Sequence, residues 1–231
     1  FRKNWFNIVG KNLESYNIDS IRNTVDVLAL GSDQIWNPNI TDGVDPVYYG
    51  KIGEEPMKAF SYAASVGVST LTAEEKNIIS KYISDLNRIS VREPEVLEML
   101  NLHNCAVVCD PVFLHTSDSW RDKLQLNAIS EKYILVYALT GYKETYDMAR
   151  LLEKETGLRV IEIRNTMSYK KEIRGEKILR SISPKDFVEL FDNATYVITD
   201  SFHGTAFSII FEKDVFVIPN KEKVQLRNVK R

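Results

Sequence analysis

The sequence is poor in cysteine, in histidine and in net charge, and each shortage excludes something. Of 231 residues only two are cysteine, Cys105 and Cys109, both in "NCAVVCDP". Four apart in a strand, they share a face with Cα atoms roughly 13 Å apart, too far for a disulfide. Their spacing is not that of a zinc site. Buried free thiols in a reducing compartment are expected. Of the three histidines, His103 and His115 have no partners at metal-ligand spacing. A formal net charge of -2 gives no electrostatic case for nucleic acid. No apolar run is long enough for a membrane helix. The basic, aromatic start "FRKNWFNIVGKNLES" is not a signal peptide, but it leaves open a peripheral membrane contact. There is no P-loop, no G-x-G-x-x-G, no HExxH, no nucleophile elbow and no acidic metal cluster. A DxD-type pair that would hold a divalent metal with a nucleotide sugar is also missing. Metal-free chemistry is therefore expected.

What is present is ordinary globular composition, 44% hydrophobic and 27% charged, in a chain long enough for a substantial core. Apolar runs of strand length alternate with amphipathic stretches. "VDVLALG", "MKAFSYAAS", "RISVRE" and "CAVVCDP" read as strands. "TAEEKNIISKYISDLN" reads as a helix capped by Thr72, and "PEVLEML" as one opening on Pro. The polar stretch "LHTSDSWRDKLQLNAISEK" breaks the rhythm, and the domain boundary is placed inside it. Strands then recur at "YILVYALTG", "RVIEIRN", "TYVITD" and "VFVIP". Between them lie helices in "YKETYDMARLLEKETG", ending at Gly157, in "SPKDFVELFDNA", capped by Ser183, and in "SFHGTAFSIIFEK". The expected fold is α/β, two Rossmann-like domains (1–118 and 119–231) facing a cleft, with ligands beyond the carboxyl ends of the strands. The first segment reads as helix and the last, "KVQLRNVKR", carries no closing element. Both ends are expected to be trimmed from a longer protein.

Three stretches carry candidate chemistry. In "TDSFHGTAFSIIF", Asp200 ends a strand and Ser201 to Thr205 start a helix, whose unsatisfied N–H groups and dipole make an anion site. Ser201 and Thr205 add hydroxyls, and Gly204 lets an oxygen-rich ligand approach closely. His203 sits beside such an anion, which favours the imidazolium, a general acid. The competing reading is a simple Ser201 cap and a hydrogen-bonded core histidine. In "LGSDQIWNP", Ser32, Asp33 and Gln34 follow a strand, then an exposed Trp36 and Asn37. That set suits a sugar stacked on the indole, with Asp33 as base for a hydroxyl; a capped turn over a buried tryptophan fits it equally. In "SVREPE", Arg92 at a strand end can grip a carboxylate or phosphate, or pair with Glu93 or Glu95. Asp110 reads as a structural turn. Ser61, Tyr62 and Ser65 in "FSYAAS" border the same cleft as further substrate contacts.

"GSDQIWNP", "FSYAAS", "SVREPE", "CDPVFL" and "TDSFHGTAFSIIF" follow one another in an order that resembles the polysaccharide pyruvyl transferase family, over roughly residues 25–220. The family opens on a strand and a loop with Gly and Asn ahead of this chain's start, and continues past its end. The resemblance implies a fold like the GT-B glycosyltransferases. It implies transfer of pyruvate from phosphoenolpyruvate, the donor substrate, to two hydroxyls of a hexose, with a cyclic ketal and phosphate as products. No metal or cofactor is required. The acceptor is a cell-surface polysaccharide or its lipid-linked precursor, handled in the cytoplasm at the inner face of the membrane; no oligomeric state is set. Two other readings stay open on the residues alone: a glycosyltransferase using a nucleotide sugar, and a non-catalytic carbohydrate-binding module.

Overall fold

The structure is a computed structural model and describes residues 25–51, 57–140, 142–164 and 177–219. The first segment, expected to be helical and to leave open a peripheral membrane contact, and the segment "KVQLRNVKR" lie outside these residues. The boundary between two compact units falls between Pro111 and Val112, seven residues before the expected one. Residues 112–118 go with the second unit because Val112 packs on its core and accepts from Trp120 Nε1 at 3.1 Å.

The first unit carries four short strands, β1 (Leu28–Leu30), β2 (Ala59–Ser61), β3 (Ile89–Val91) and β4 (Cys105–Val107). β1 pairs in parallel with β2, and β3 with β4. Parallel bridges from Phe60 to Arg88 and from Ala64 to Val91 join the two pairs. Two buried serines complete that seam. Ser61 Oγ donates to Ser90 O and accepts from Ser90 N; Ser90 Oγ donates to Ser61 O and accepts from Ala63 N. The hydroxyls thus satisfy buried backbone groups that the short ladder leaves over. "MKAFSYAAS" does not run on as one strand, because Ala63 adopts a left-handed φ of 52° and breaks the pleat.

Helix α1 (Ala73–Ile83) starts on Thr72, whose hydroxyl accepts from Glu75 N while the Glu75 carboxylate accepts from Thr72 N, a reciprocal cap. Its Ile79 and Ile83, with Val96 and Leu100 of α2 (Glu95–Leu100), cover Trp36, Val66 and Val91 in one core. β4 ends at Val107, so Cys109 lies beyond it and is exposed, while Cys105 is half-buried. The pair of buried thiols is not formed: among the described residues β4 is an edge strand paired with β3, and its Ala106 and Val107 are exposed.

The second unit opens with α3 (Ser117–Leu124), a helix within the stretch read as irregular. Thr116 caps it, and Trp120 and Leu124 pack against the core. Five parallel strands follow: β5 (Tyr133–Tyr137), β6 (Arg159–Ile163), β7 (Lys177–Leu179), β8 (Tyr196–Thr199) and β9 (Asp214–Val217), in spatial order β7-β6-β5-β8-β9. Tyr133 to Val136 are fully buried, as a central parallel strand covered on both faces requires. Leu135, Ile161 and Val197 meet α5 (Pro184–Asn193) and α6 (Phe202–Ile210) on one face. Ile134, Val136 and Ile198 meet Tyr146 and Ala149 of α4 (Lys143–Thr156) on the other. The chain runs outward from β5 through β6 to β7, then returns to β8 and β9 on the opposite side. The order therefore reverses between β5 and β8, where such sheets open a ligand crevice beyond the carboxyl ends.

Candidate functional site

Each unit gathers polar side chains beyond the carboxyl ends of its strands. In the first, Ser32 and Asp33 follow β1, Ser65 follows β2, Arg92 and Glu93 follow β3, and Asp110 follows β4. They form one network around the Arg92 guanidinium. Its Nε donates to Glu93 Oε1 at 2.9 Å, its Nη1 to Asp110 Oδ2 at 2.9 Å and its Nη2 to Asp33 Oδ1 at 3.4 Å. Ser65 Oγ also donates to Glu93 Oε1, at 3.0 Å, and Ser32 Oγ to Asp110 Oδ2, at 3.3 Å. Burial opposes the guanidinium's charge. The hydrogen bonds to Glu93 and Asp110, with the charges of Glu93 and Asp33, outweigh it and hold Arg92 above its ordinary value. Glu93 Oε2 is buried with no hydrogen-bond partner.

In the second unit the switch point is built from the ends of β5 and β8. The Asp200 carboxylate accepts from Leu139 N at 2.6 Å, from Thr140 N at 2.9 Å and from the Thr140 hydroxyl, which ties the loop after β5 to the end of β8. Thr199 Oγ1 donates to Tyr137 O at 2.6 Å and accepts from Ser201 N at 3.1 Å. Ser201 Oγ caps α6 by accepting from Gly204 N at 3.4 Å. Burial pushes the Tyr137 phenol above its ordinary value; a hydrogen bond with the Ser201 side chain draws it part-way back, and the Asp200 charge adds to the rise. His203 lies in the first turn of α6, half-buried, with the Phe202 ring edge-on at 5.3 Å. Among the described residues no three His, Cys, Asp or Glu are grouped to hold a metal ion, and no helix is long and apolar enough to cross a membrane.

A family model described as "Polysaccharide pyruvyl transferase" matches residues 3–222. The chain belongs to this family. Among curated proteins none matches it significantly. Among solved structures it is similar to the UDP-GlcNAc 2-epimerase of Methanocaldococcus jannaschii in complex with UDP-GlcNAc and UDP. That likeness has 11% identity and a TM-score of 0.52, over 93% of this chain and 72% of that one. A second structure of the same enzyme gives 13% identity and a TM-score of 0.51, over 93% and 73%. At such identity the likeness shows fold alone, an α/β, GT-B-like fold with parallel sheets.

With the family fixed, the polar residues of its motifs divide into those that face outward and those that hold the fold. Asp33 is exposed, Ser32, Tyr62 and His203 are partly so, and the Arg92 side chain is 8% exposed. Trp36 is not the exposed platform expected for a sugar. It is fully buried, stacked on Tyr49 with ring centroids 5.5 Å apart, and its Nε1 donates to Tyr48 O. Asn37 and Gln34 also turn inward: Asn37 Nδ2 donates to Gln34 Oε1 at 2.7 Å, and Asn37 Oδ1 accepts from Asn39 N. Gln34 lies over Gly67, where an added Cβ would meet Gln34 Oε1 at 2.1 Å. Ser61 is consumed by its seam to β3. Arg92 is not an open anion grip but one already held by carboxylates. Thr205 Oγ1 donates to Ser201 O, a bond inside the helix.

Gly204 serves packing and not ligand approach: an added Cβ would fall 2.2 Å from Thr199 Oγ1. Gly204→Ala is therefore expected to displace Thr199 from Tyr137 O and Ser201 N, at a cost of about 1–3 kcal/mol. Equilibrium unfolding checks this; unchanged stability contradicts it. The residue that sequence reasoning underrated is Asp110, read as a turn. The signal lay in the pairing of β3 with β4: Val91 sits opposite Val107, so an arginine just past one strand and an acid just past the other meet.

Proposed function

We propose that this family member transfers pyruvate from phosphoenolpyruvate to two hydroxyls of a hexose in a cell-surface polysaccharide or its precursor. The products are a cyclic ketal and phosphate. The match over residues 3–222 carries the reading, since the family's description names pyruvyl transfer and a polysaccharide. The site residues supply roles for it. His203 protonates the methylene carbon of the donor, leaving an oxocarbenium-like centre at the adjacent carbon. A sugar hydroxyl, relieved of its proton by Asp33, attacks that centre. The carbon–phosphate oxygen bond then breaks, phosphate leaves with a proton, and the second hydroxyl closes the ring. Of the two hydroxyl protons, one replaces that given to the methylene and the other departs with phosphate, so the reaction balances. Each unit offers an anion contact of its own for such a donor, Arg92 in the first and the start of α6 in the second. The chemistry as proposed uses no metal or cofactor. The acceptor, free or lipid-linked, is met in the cytoplasm at the inner face of the membrane.

The test is incubation with phosphoenolpyruvate and hexose-bearing acceptors, following phosphate release and the new ketal methyl signal by NMR, with melting temperature measured against phosphoenolpyruvate and against a nucleoside diphosphate. Phosphate release that depends on acceptor, with a donor-induced rise in melting temperature, is expected. Stabilisation by the nucleoside diphosphate alone would replace this reading by one of nucleotide-sugar chemistry.

A further inference from the structure

The three carboxylates on Arg92 are not equivalent. Glu93 and Asp110 approach at 2.9 Å, each is also held by a serine hydroxyl, and the Asp110 side chain is 1% exposed. Asp33 approaches at 3.4 Å with a side chain 57% exposed, and among the described residues its carboxylate makes no other hydrogen bond. Its backbone is the fixed part. Asp33 adopts a left-handed φ of 70°, and its carbonyl accepts from Ser65 N at 2.9 Å. A rotation of the side chain alone takes the carboxylate off Arg92. An anion arriving at a guanidinium that already faces three carboxylates meets repulsion, and the weakest-held acid is the one that relieves it.

We infer that Asp33 occupies, on Arg92, the place of the donor's anion and is exchanged for it when the donor binds. Glu93 and Asp110 stay and keep the guanidinium aimed. The inference rests on the pyruvyl-transfer reading and adds an order to it: donor binding releases the Asp33 carboxylate, which then serves the acceptor hydroxyl. Donor therefore binds before acceptor is activated. An acid that competes with substrate for Arg92 and also acts as base has a signature that a structural acid lacks. Its removal tightens donor binding while it lowers turnover.

The experiment titrates phosphoenolpyruvate, without acceptor, into the wild-type chain and into Asp33→Asn by calorimetry. Asparagine tolerates the left-handed backbone, and Asp33→Gly serves as a second variant. Asp42→Asn, at an exposed acid in the same loop that does not pair with Arg92, controls for general charge. Both Asp33 variants are expected to bind the donor up to about fivefold tighter, the range of an exposed ion pair. The gain narrows at high salt, kcat falls, and Asp42→Asn matches wild type. Donor affinity unchanged or weakened in both Asp33 variants, or an equal gain in Asp42→Asn, would overturn the exchange. If wild type binds donor and only the gain is missing, the exchange alone is lost. If neither wild type nor any variant binds phosphoenolpyruvate, the pyruvyl-transfer reading goes with it.

Discussion

His203→Ala is expected to lower kcat by about 10²–10⁴-fold, the usual contribution of a positioned general acid, and to leave the second unit folded. The two halves of that expectation have separate grounds. The turn that holds His203 is built from bonds in which its neighbours supply the groups: Thr199 Oγ1 to Tyr137 O, Ser201 Oγ from Gly204 N, and Thr205 Oγ1 to Ser201 O. The ring is half-buried beside an exposed Phe202, so truncation leaves no large cavity. Alanine is also the best helix former. The loss in rate follows from the proton. On the proposed mechanism, without a donor near the methylene carbon, water must deliver the proton to a carbon base. Steady-state phosphate release, with circular dichroism and thermal unfolding on the same sample, checks both halves. Normal turnover by a folded His203→Ala chain would remove the histidine from the chemistry.

Much of the fold was legible because each signal was local. Thr72, Ser183 and Gly157 mark helix ends by groups that lie within a turn of the residues they cap, and the apolar runs mark the strands. The elements missed are those whose burial is made elsewhere. β7 is three residues long and exists by pairing with β6. α3 has a largely polar sequence, and its apolar contribution is chiefly Trp120 and Leu124, set against strands and helices far along the chain.

For the candidate site, position in the fold was legible and the contacts each side chain makes were not. Polar residues at the ends of parallel strands were expected at the right positions. Yet the groups that bind a ligand there are the same types that satisfy buried backbone and cap helices. Ser61 and Gly204 look like substrate contacts in a string of letters; a seam between β2 and β3 and a 2.2 Å approach to Thr199 make them structural. Nor does sequence distance suggest that Arg92 meets Asp33 and Asp110 on one guanidinium. That meeting is a product of strand order.

Trp36 separates the two kinds of role most sharply, and Trp36→Ala is expected to destabilise the first unit by about 3–5 kcal/mol. The indole fills the centre of the core that also holds Val66, Ile79, Ile83 and Val91. It stacks on Tyr49 with an interplanar angle of 9°, and its N–H satisfies Tyr48 O. Truncation opens a cavity, ends the stack and orphans a carbonyl together. Against a domain stability of about 5–15 kcal/mol, that is a large fraction. Because Asp33 sits three residues away on the same turn, activity falls with the fold. Trp36→Phe keeps the stacked ring and most of the volume, losing chiefly the hydrogen bond, and is expected to retain most of the stability. Denaturant unfolding of both variants, beside acceptor KM wherever the chain stays folded, gives the decision. A core residue moves the unfolding midpoint and leaves acceptor KM unchanged in Trp36→Phe. A sugar platform does the reverse: Trp36→Ala would unfold like wild type while acceptor KM rose, and the inward reading of "GSDQIWNP" would have to be abandoned.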